Sequence, residues 1–184
     1  MHIDFAFKST EKIIMSVIPS VHHQPQSLHE RTLHQQEDFS RYRHVLRTRV
    51  RSYDVDRQSI VHNAVYLYWL EAARIEYFRA LGLPMDFQTF VSKHRFVVAH
   101  IDIDYIYAAL FDQEYELFTR ISWMKNSSLC FEQIARLTDD GTILVKANTV
   151  MVHLNTASHQ PERIQDSYRS LVRDYEGENV QHIS

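Results

Sequence analysis

Glycine is scarce in this chain. Gly82, Gly141 and Gly177 are the only three in 184 residues, and they stand far apart. A GxGxxG dinucleotide turn, a phosphate-cradling P-loop and a GxSxG nucleophile elbow each need glycines within a few residues of one another, so all three are excluded. Cysteine is scarcer still. With Cys130 alone there is neither an intrachain disulfide nor a zinc site built from several thiolates, and a reducing cytoplasm is the expected location. Positive charge is not in excess: 20 Lys+Arg against 23 Asp+Glu give a net charge of -3. That is the wrong sign for a domain whose affinity comes from neutralising phosphates, so nucleic acid is not an expected partner. Long apolar runs are missing too. The one near the start, 13–21, is broken by Ser16 and Pro19 and falls short of the roughly 20 residues that span a bilayer. It also lacks a convincing cleavage site.

What remains is an ordinary folded composition, 45% hydrophobic and 23% charged, at a length suited to one domain. Residues 1–40 differ from the rest. They hold five of the twelve histidines (His2, His22, His23, His29, His34) and no sustained period, and read as an N-terminal extension, poorly structured or with one short helix near 27–39. His29 and His34 suggest a zinc helix, but that motif needs a spacing of four, and a spacing of five turns the two side chains about 140° apart, so a solvated arm is the expectation. The domain is expected over 41–175, with 176–184 as a C-terminal tail.

From Tyr42 the pattern becomes regular. Arg43, Val45, Arg47, Arg49 and Arg51 alternate with Tyr42, His44, Leu46, Thr48 and Val50, which predicts a strand with one basic, solvated face. A polar loop, 54–59, leads to a long helix beginning near Asn63, whose side chain suits an N-cap. Tyr66, Leu70, Ala73, Tyr77 and Leu81 recur at helical spacing, and Leu67, Trp69, Ile75 and Phe78 make the helix apolar nearly all round, hence buried. Gly82 and Pro84 end it. A second, short helix is expected over 85–93.

Four strands should follow, at 96–107, 114–125, 128–138 and 142–155, joined by short turns of which Asp139-Asp140-Gly141 is the clearest. They predict an antiparallel meander or something close to it. Pro161 opens a last amphipathic helix carrying Ile164, Tyr168, Leu171 and Tyr175. Strand, buried helix, then consecutive antiparallel strands make an α+β fold with a sheet around one helix.

The run from Tyr53 to Arg74 (YDVDRQSIVHNAVYLYWLEAAR) resembles the signature of the hotdog-fold acyl-CoA thioesterases of the 4-hydroxybenzoyl-CoA thioesterase family. That signature is an aromatic residue, Asp-Thr-Asp, a Gly-rich turn, two β-branched residues, Ala-Asn-Tyr, and a helix with Glu-x-Ala-Arg. Ala109-Leu110-Phe111-Asp112-Gln113-Glu114-Tyr115 and Asn126-Ser127-Ser128-Leu129 resemble the family's entries into its next strands, and the resemblance spans roughly 42–171. It implies the hotdog fold, hydrolysis of an acyl-CoA thioester to a carboxylic acid and CoA, no cofactor and no metal. It also implies a homodimer or homotetramer, since one sheet leaves an open edge and relatives complete their sites by pairing subunits.

Thioester hydrolysis needs an activated water or nucleophile and a stabilised oxyanion. By resemblance the second aspartate, Asp56, is the base or nucleophile, and Asp54 serves the loop. Spacing alone also allows Asp56 an Asx-turn role. The helix N-terminus near Asn63 would polarise the carbonyl. Asn63 stands where some members carry a histidine; its amide can donate to an oxyanion but cannot act as a base. His62 is the third candidate, although one residue turns it about 100° away and spacing makes it a loop or interface histidine. Ser59, Ile60, Val61 and Tyr66 are expected at the substrate, and Lys125, Ser127 and Ser128 at the nucleotide end of CoA.

Gln58 and Ser59 replace the family's glycines, Val55 its threonine and Val65 its asparagine. Those departures keep open a second reading, a non-catalytic hotdog dimer that binds an acyl thioester as a ligand. A hotdog dehydratase would need a histidine paired with an acid, and the signature at the helix start argues against it. Met85, Phe87 and Phe90 suit an acyl tunnel or, equally, a core. His100, Asp102 and Asp104 share a strand face, as metal ligands or as solvated residues. Cys130 reads as a packed thiol.

Overall fold

The computed structural model describes residues 37–86, 88 and 95–182. Most of the N-terminal extension and most of the short helix expected over 85–93, with Phe87 and Phe90, therefore lie outside the described residues. A single 3₁₀ turn, Phe39–Arg41, leads into β1 (His44–Arg49), α1 (Asn63–Ala80), β2 (Phe96–Tyr105), β3 (Glu114–Met124), β4 (Ser128–Leu137), β5 (Ile143–His153), α2 (Asp166–Glu176), a second 3₁₀ turn at Gly177–Asn179 and the short β6 (Gln181–His182).

The strands form one sheet in the order β1-β3-β4-β5-β2, with β6 parallel to the end of β3. The antiparallel meander is thus three strands long, β3 to β5. β2 is not its first member: it pairs with β5 at the far edge, and the segment 106–113 crosses the sheet to start β3 beside β1. This is the hotdog arrangement, an α+β fold with the sheet curved around α1.

The basic face of β1 is neutralised within the sheet. Arg47 pairs with Glu116 and Arg49 with Glu114, both on β3, and Arg136 on β4 reaches the second Glu116 oxygen at 3.0 Å. α1 is buried on one face rather than all round: Tyr66, Trp69, Leu70, Ala73, Tyr77 and Phe78 turn inward, while Leu67 and Tyr68 are exposed. Gly82, at φ +77°, ends it, with Leu83 N–H returning to Phe78 O at 3.2 Å in a Schellman-type cap.

A polar band crosses the core beneath α1. Arg74 donates to Gln133 Oε1 at 2.9 Å and Thr149 Oγ1 at 3.3 Å, while Gln133 Nε2 donates to Leu70 O at 2.9 Å and Thr119 Oγ1 at 3.3 Å. Burial lowers the Arg74 guanidinium to about 10. On one side of this band a core cluster packs around Tyr66, Trp69, Leu70 and Ala73; on the other a second packs around Tyr77, Phe78 and Leu81.

The C-terminal segment differs from expectation. Pro161 does not open α2; it bridges to Leu154, and the helix starts at Asp166. Residues 176–182, assigned to a tail, are packed: Glu176 and Val180 are buried, and β6 lies on β3. His100, Asp102 and Asp104 stand exposed on the outward face of β2, and among the described residues no three metal-capable side chains converge. Cys130 is buried, and burial pushes its thiol up.

Candidate active site

The loop between β1 and α1 is built on its own two aspartates. Asp54 is buried; its carboxylate accepts Arg51 N–H at 2.7 Å, and its carbonyl accepts His62 N–H at 2.9 Å. Asp54 does serve the loop. Asp56 forms an Asx turn, its Oδ1 accepting Gln58 N–H at 2.6 Å, while its own N–H donates to Ile60 O at 2.9 Å. The turn needs one residue in the left-handed region. Ser59 supplies it at φ +64°, at one of the positions where the family signature has glycine.

Val55 and Val61 bridge across this turn, so Asp56 is carried beside Ile60, just before the N-cap of α1. The N-cap of α1 is His62, not Asn63: its Nδ1 accepts Ala64 N–H at 3.1 Å, and its carbonyl accepts Val65 N–H at 2.9 Å. An imidazole accepting through Nδ1 in its neutral form carries its proton on Nε2. The N-cap thus engages both the Ala64 and the Val65 N–H groups.

A third segment, the crossover 106–113, closes the site from the side. Ala109 O accepts Val61 N–H at 2.9 Å, and Ile60 bridges to Leu110. Tyr105 donates its hydroxyl to Asn63 O at 3.1 Å. Tyr66 lies under the loop, its ring 4.9 Å from Trp69 and 5.7 Å from Tyr105 between centroids, and its hydroxyl accepts Ala109 N–H at 3.0 Å. Burial pushes the Tyr66 phenol above its usual range, so it stays protonated. Tyr115, stacked on Trp69 at 4.0 Å, is pushed up by burial and then by the Asp54 charge.

The structure therefore gathers Asp56, Ser59, Ile60, Val61, His62, Asn63 and Tyr66 at one end of the molecule. Lys125, Ser127 and Ser128 are not with them. They form the β3–β4 turn at the other end of the 11-residue β3, a span of roughly 35 Å at the usual strand rise. There Lys125 lies 5.0 Å over the Trp123 ring, and Arg169 donates to the carbonyls of Lys125 and Asn126. Sequence reasoning missed Tyr105 and the function of Ala109. The run from Ala109 to Tyr115 marked the turn, but nothing in it shows which loop it would contact.

A sheet curved around one helix is the fold of the hotdog thioesterases. The comparisons place the chain further: it belongs to the thioesterase superfamily, whose family profile matches residues 58–144. It is 33% identical over 110 residues to the acyl-CoA thioesterase YbgC of Haemophilus influenzae, an overlap covering 59% of this chain and 78% of that protein. A Thermus thermophilus thioesterase, solved with coenzyme A and zinc, is 30% identical with a TM-score of 0.63; the match covers 72% of this chain and 93% of that one. The 1,4-dihydroxy-2-naphthoyl-CoA thioesterase of Synechocystis shares the fold at 16% identity and a TM-score of 0.65, over 71% of this chain and 95% of that one.

Proposed function

We propose that this chain hydrolyses an acyl-CoA thioester to the free acid and CoA, with Asp56 as base or nucleophile and the N-terminus of α1 polarising the carbonyl. The observation that supports the reading is that the Asp56 turn is tied to the N-cap of a helix buried on one face, through the Val55–Val61 bridge and the His62 N–H to Asp54 O bond. A thioester laid along Ser59, Ile60 and Val61 would direct its carbonyl oxygen at the Asn63 N–H. Developing negative charge there meets both a donor and the positive end of the helix dipole. Asp56 then either removes a proton from the attacking water, which displaces CoA thiolate, or attacks the carbonyl carbon itself, expelling CoA thiolate and leaving an acyl–aspartyl anhydride that a water hydrolyses to the free acid and the restored carboxylate.

The working unit in this proposal is a homodimer, or a tetramer made of dimers. β2 lies at the sheet edge, and Val98, Tyr105, Ile106 and Tyr107 on and after it expose apolar surface. A second copy covers that edge and stands beside the site, where Tyr105 is already bonded to Asn63. Lys125, Ser127 and Ser128, remote from Asp56 of their own chain, hold the nucleotide end of CoA only for a site completed between copies. No helix among the described residues is long and apolar enough to cross a membrane.

The test is CoA release from short, medium, long and aromatic acyl-CoAs by the wild type, Asp56→Asn and Asp54→Asn. Loss of a general base costs on the order of 10²–10⁴ in rate, and that is expected at Asp56. Asp54→Asn keeps an oxygen to accept the Arg51 N–H and should lose far less. A folded Asp56→Asn enzyme with wild-type turnover refutes the assignment. Saturable binding of acyl-CoA with no released CoA establishes the non-catalytic binder instead.

A further inference from the structure

We infer that Tyr66 is a positioning residue for the reaction, setting the distance between Asp56 and the helix N-terminus through its hydroxyl on Ala109. The inference rests on the reading of Asp56 given above. The covalent path from Asp56 to Asn63 runs through Arg57, Gln58 and Ser59, which are exposed. A second path is made of hydrogen bonds. Asp56 N–H donates to Ile60 O, Val61 N–H donates to Ala109 O, and Ala109 N–H donates to the Tyr66 hydroxyl, all between 2.9 and 3.0 Å. This path returns to the fourth residue of α1, so it ties the loop to the same first turn that presents the Asn63 N–H.

Ala109 is the junction. Both its N–H and its C=O are committed, one to the helix and one to the loop, and the residue is fully buried. The rest of the crossover is anchored elsewhere: Ile106 and Tyr107 donate to Leu144 O, and Asp112 donates to Val50 O. Those bonds hold its ends to the sheet. The bond to Tyr66 ties its middle to the helix. Tyr66 itself has little freedom, since it is 3% exposed and packed on Trp69 and Tyr105. Removing its hydroxyl leaves the ring in place and a buried N–H unpaired, so the middle of the crossover must shift or admit water. Val61 shifts with it, and Asp56 follows through Ile60.

A misplacement passed to Asp56 in this way acts on the oriented reacting groups more than on binding. Tyr66→Phe is therefore expected to lower kcat about tenfold with KM within twofold. Tyr77→Phe is the control. It removes a buried hydroxyl eleven residues further along the same helix, where it donates to Glu176 Oε1 at 2.6 Å. That variant should lose comparable thermal stability and keep kcat within twofold. In an Asp56→Asn background Tyr66→Phe should change the residual rate by less than twofold, because no carboxylate remains to be placed. Unchanged kcat in Tyr66→Phe overturns the inference. So does a Tyr77→Phe enzyme equally slowed, which would make the effect general loosening, or full additivity with Asp56→Asn. Asp56→Asn alone retaining full rate refutes the reading of the site itself and removes the group Tyr66 is inferred to place.

Discussion

Glu176→Ala should destabilise this protein far more than Glu176→Gln, and the stability of the wild type relative to Glu176→Gln should depend on pH with a definite sign. β1 pairs with β3 only as far back as His44 and Thr119, and β6 reaches β3 only from Trp123. The edge of β3 between them is filled by the Glu176 side chain. Its Oε1 accepts the Ile121 N–H at 3.0 Å and the Tyr77 hydroxyl at 2.6 Å, and the residue is fully buried. Alanine leaves a buried amide and a buried phenol without an acceptor, at about 1–3 kcal/mol each. For a chain of this size each kcal/mol moves Tm by about 2–4 °C, so a fall of roughly 10 °C is expected. Glutamine keeps an oxygen for both donors and removes the charge.

Burial holds the Glu176 carboxyl above its ordinary value of 4.5, against the opposing pull of the Tyr77 and Ile121 bonds and of Arg120 and Arg43. An acid raised on folding contributes stability that is complete below its unfolded value and declines as pH rises through its folded value. Glutamine does not titrate. The wild type should therefore lose stability relative to Glu176→Gln as pH rises from 4 through that window, and the difference should level off above it. Urea titrations of wild type and both variants at pH 4, 5.5, 7 and 8 measure this. Equal losses for Ala and Gln, or a wild-type advantage over Gln that grows with pH, would refute the account of this buried carboxylate.

Two further outcomes follow from the site and the sheet edge. His62→Ala removes the Nδ1 acceptor from Ala64 N–H and should cost about 1 kcal/mol, the usual value of an N-cap, seen as a Tm lower by a few degrees; an unchanged Tm would mean that water replaces the cap at no cost. Light scattering at micromolar concentration should return the mass of a dimer or tetramer, and a stable monomer would remove the shared site.

The strands were legible because their signal is local. Alternation and turn residues such as Asp139-Asp140-Gly141 set β2 to β5 to within two residues of their observed ends at every strand. The placement of β2 was not legible, because its pairing with β5 is decided by packing against α1 and leaves no mark in its own residues. The same limit applies to the N-cap: an imidazole Nδ1 can accept an N–H as well as an amide oxygen can, so His62 and Asn63 look alike until the backbone is known. Glu176 looked like the start of a tail because its partners, Tyr77 and Ile121, are remote in sequence. At the site the Asp-x-Asp run located the loop, but Tyr66 was expected at the substrate rather than beneath Ala109. Lys125 was expected at the nucleotide end of CoA, and the sequence does not show that the length of β3 separates it from Asp56 of its own chain.

α1 explains why these two halves can be altered separately. Tyr66 and Tyr77 are eleven residues apart, about three helical turns, so both face the sheet. Each uses its hydroxyl to hold a segment that returns from elsewhere in the chain, the crossover at one end and the C-terminal helix at the other. Between them lies the band of Arg74, Gln133, Thr119 and Thr149, a set of directional bonds that apolar packing cannot slide past without leaving buried polar groups unpaired. The band fixes the register of the helix on the sheet, and that register decides where the Asn63 N–H points. A defect at the Glu176 end is therefore paid in stability while the band holds, whereas a defect at Ala109 lies on the Asp56 side of the band and is passed to Asp56 through Val61 and Ile60.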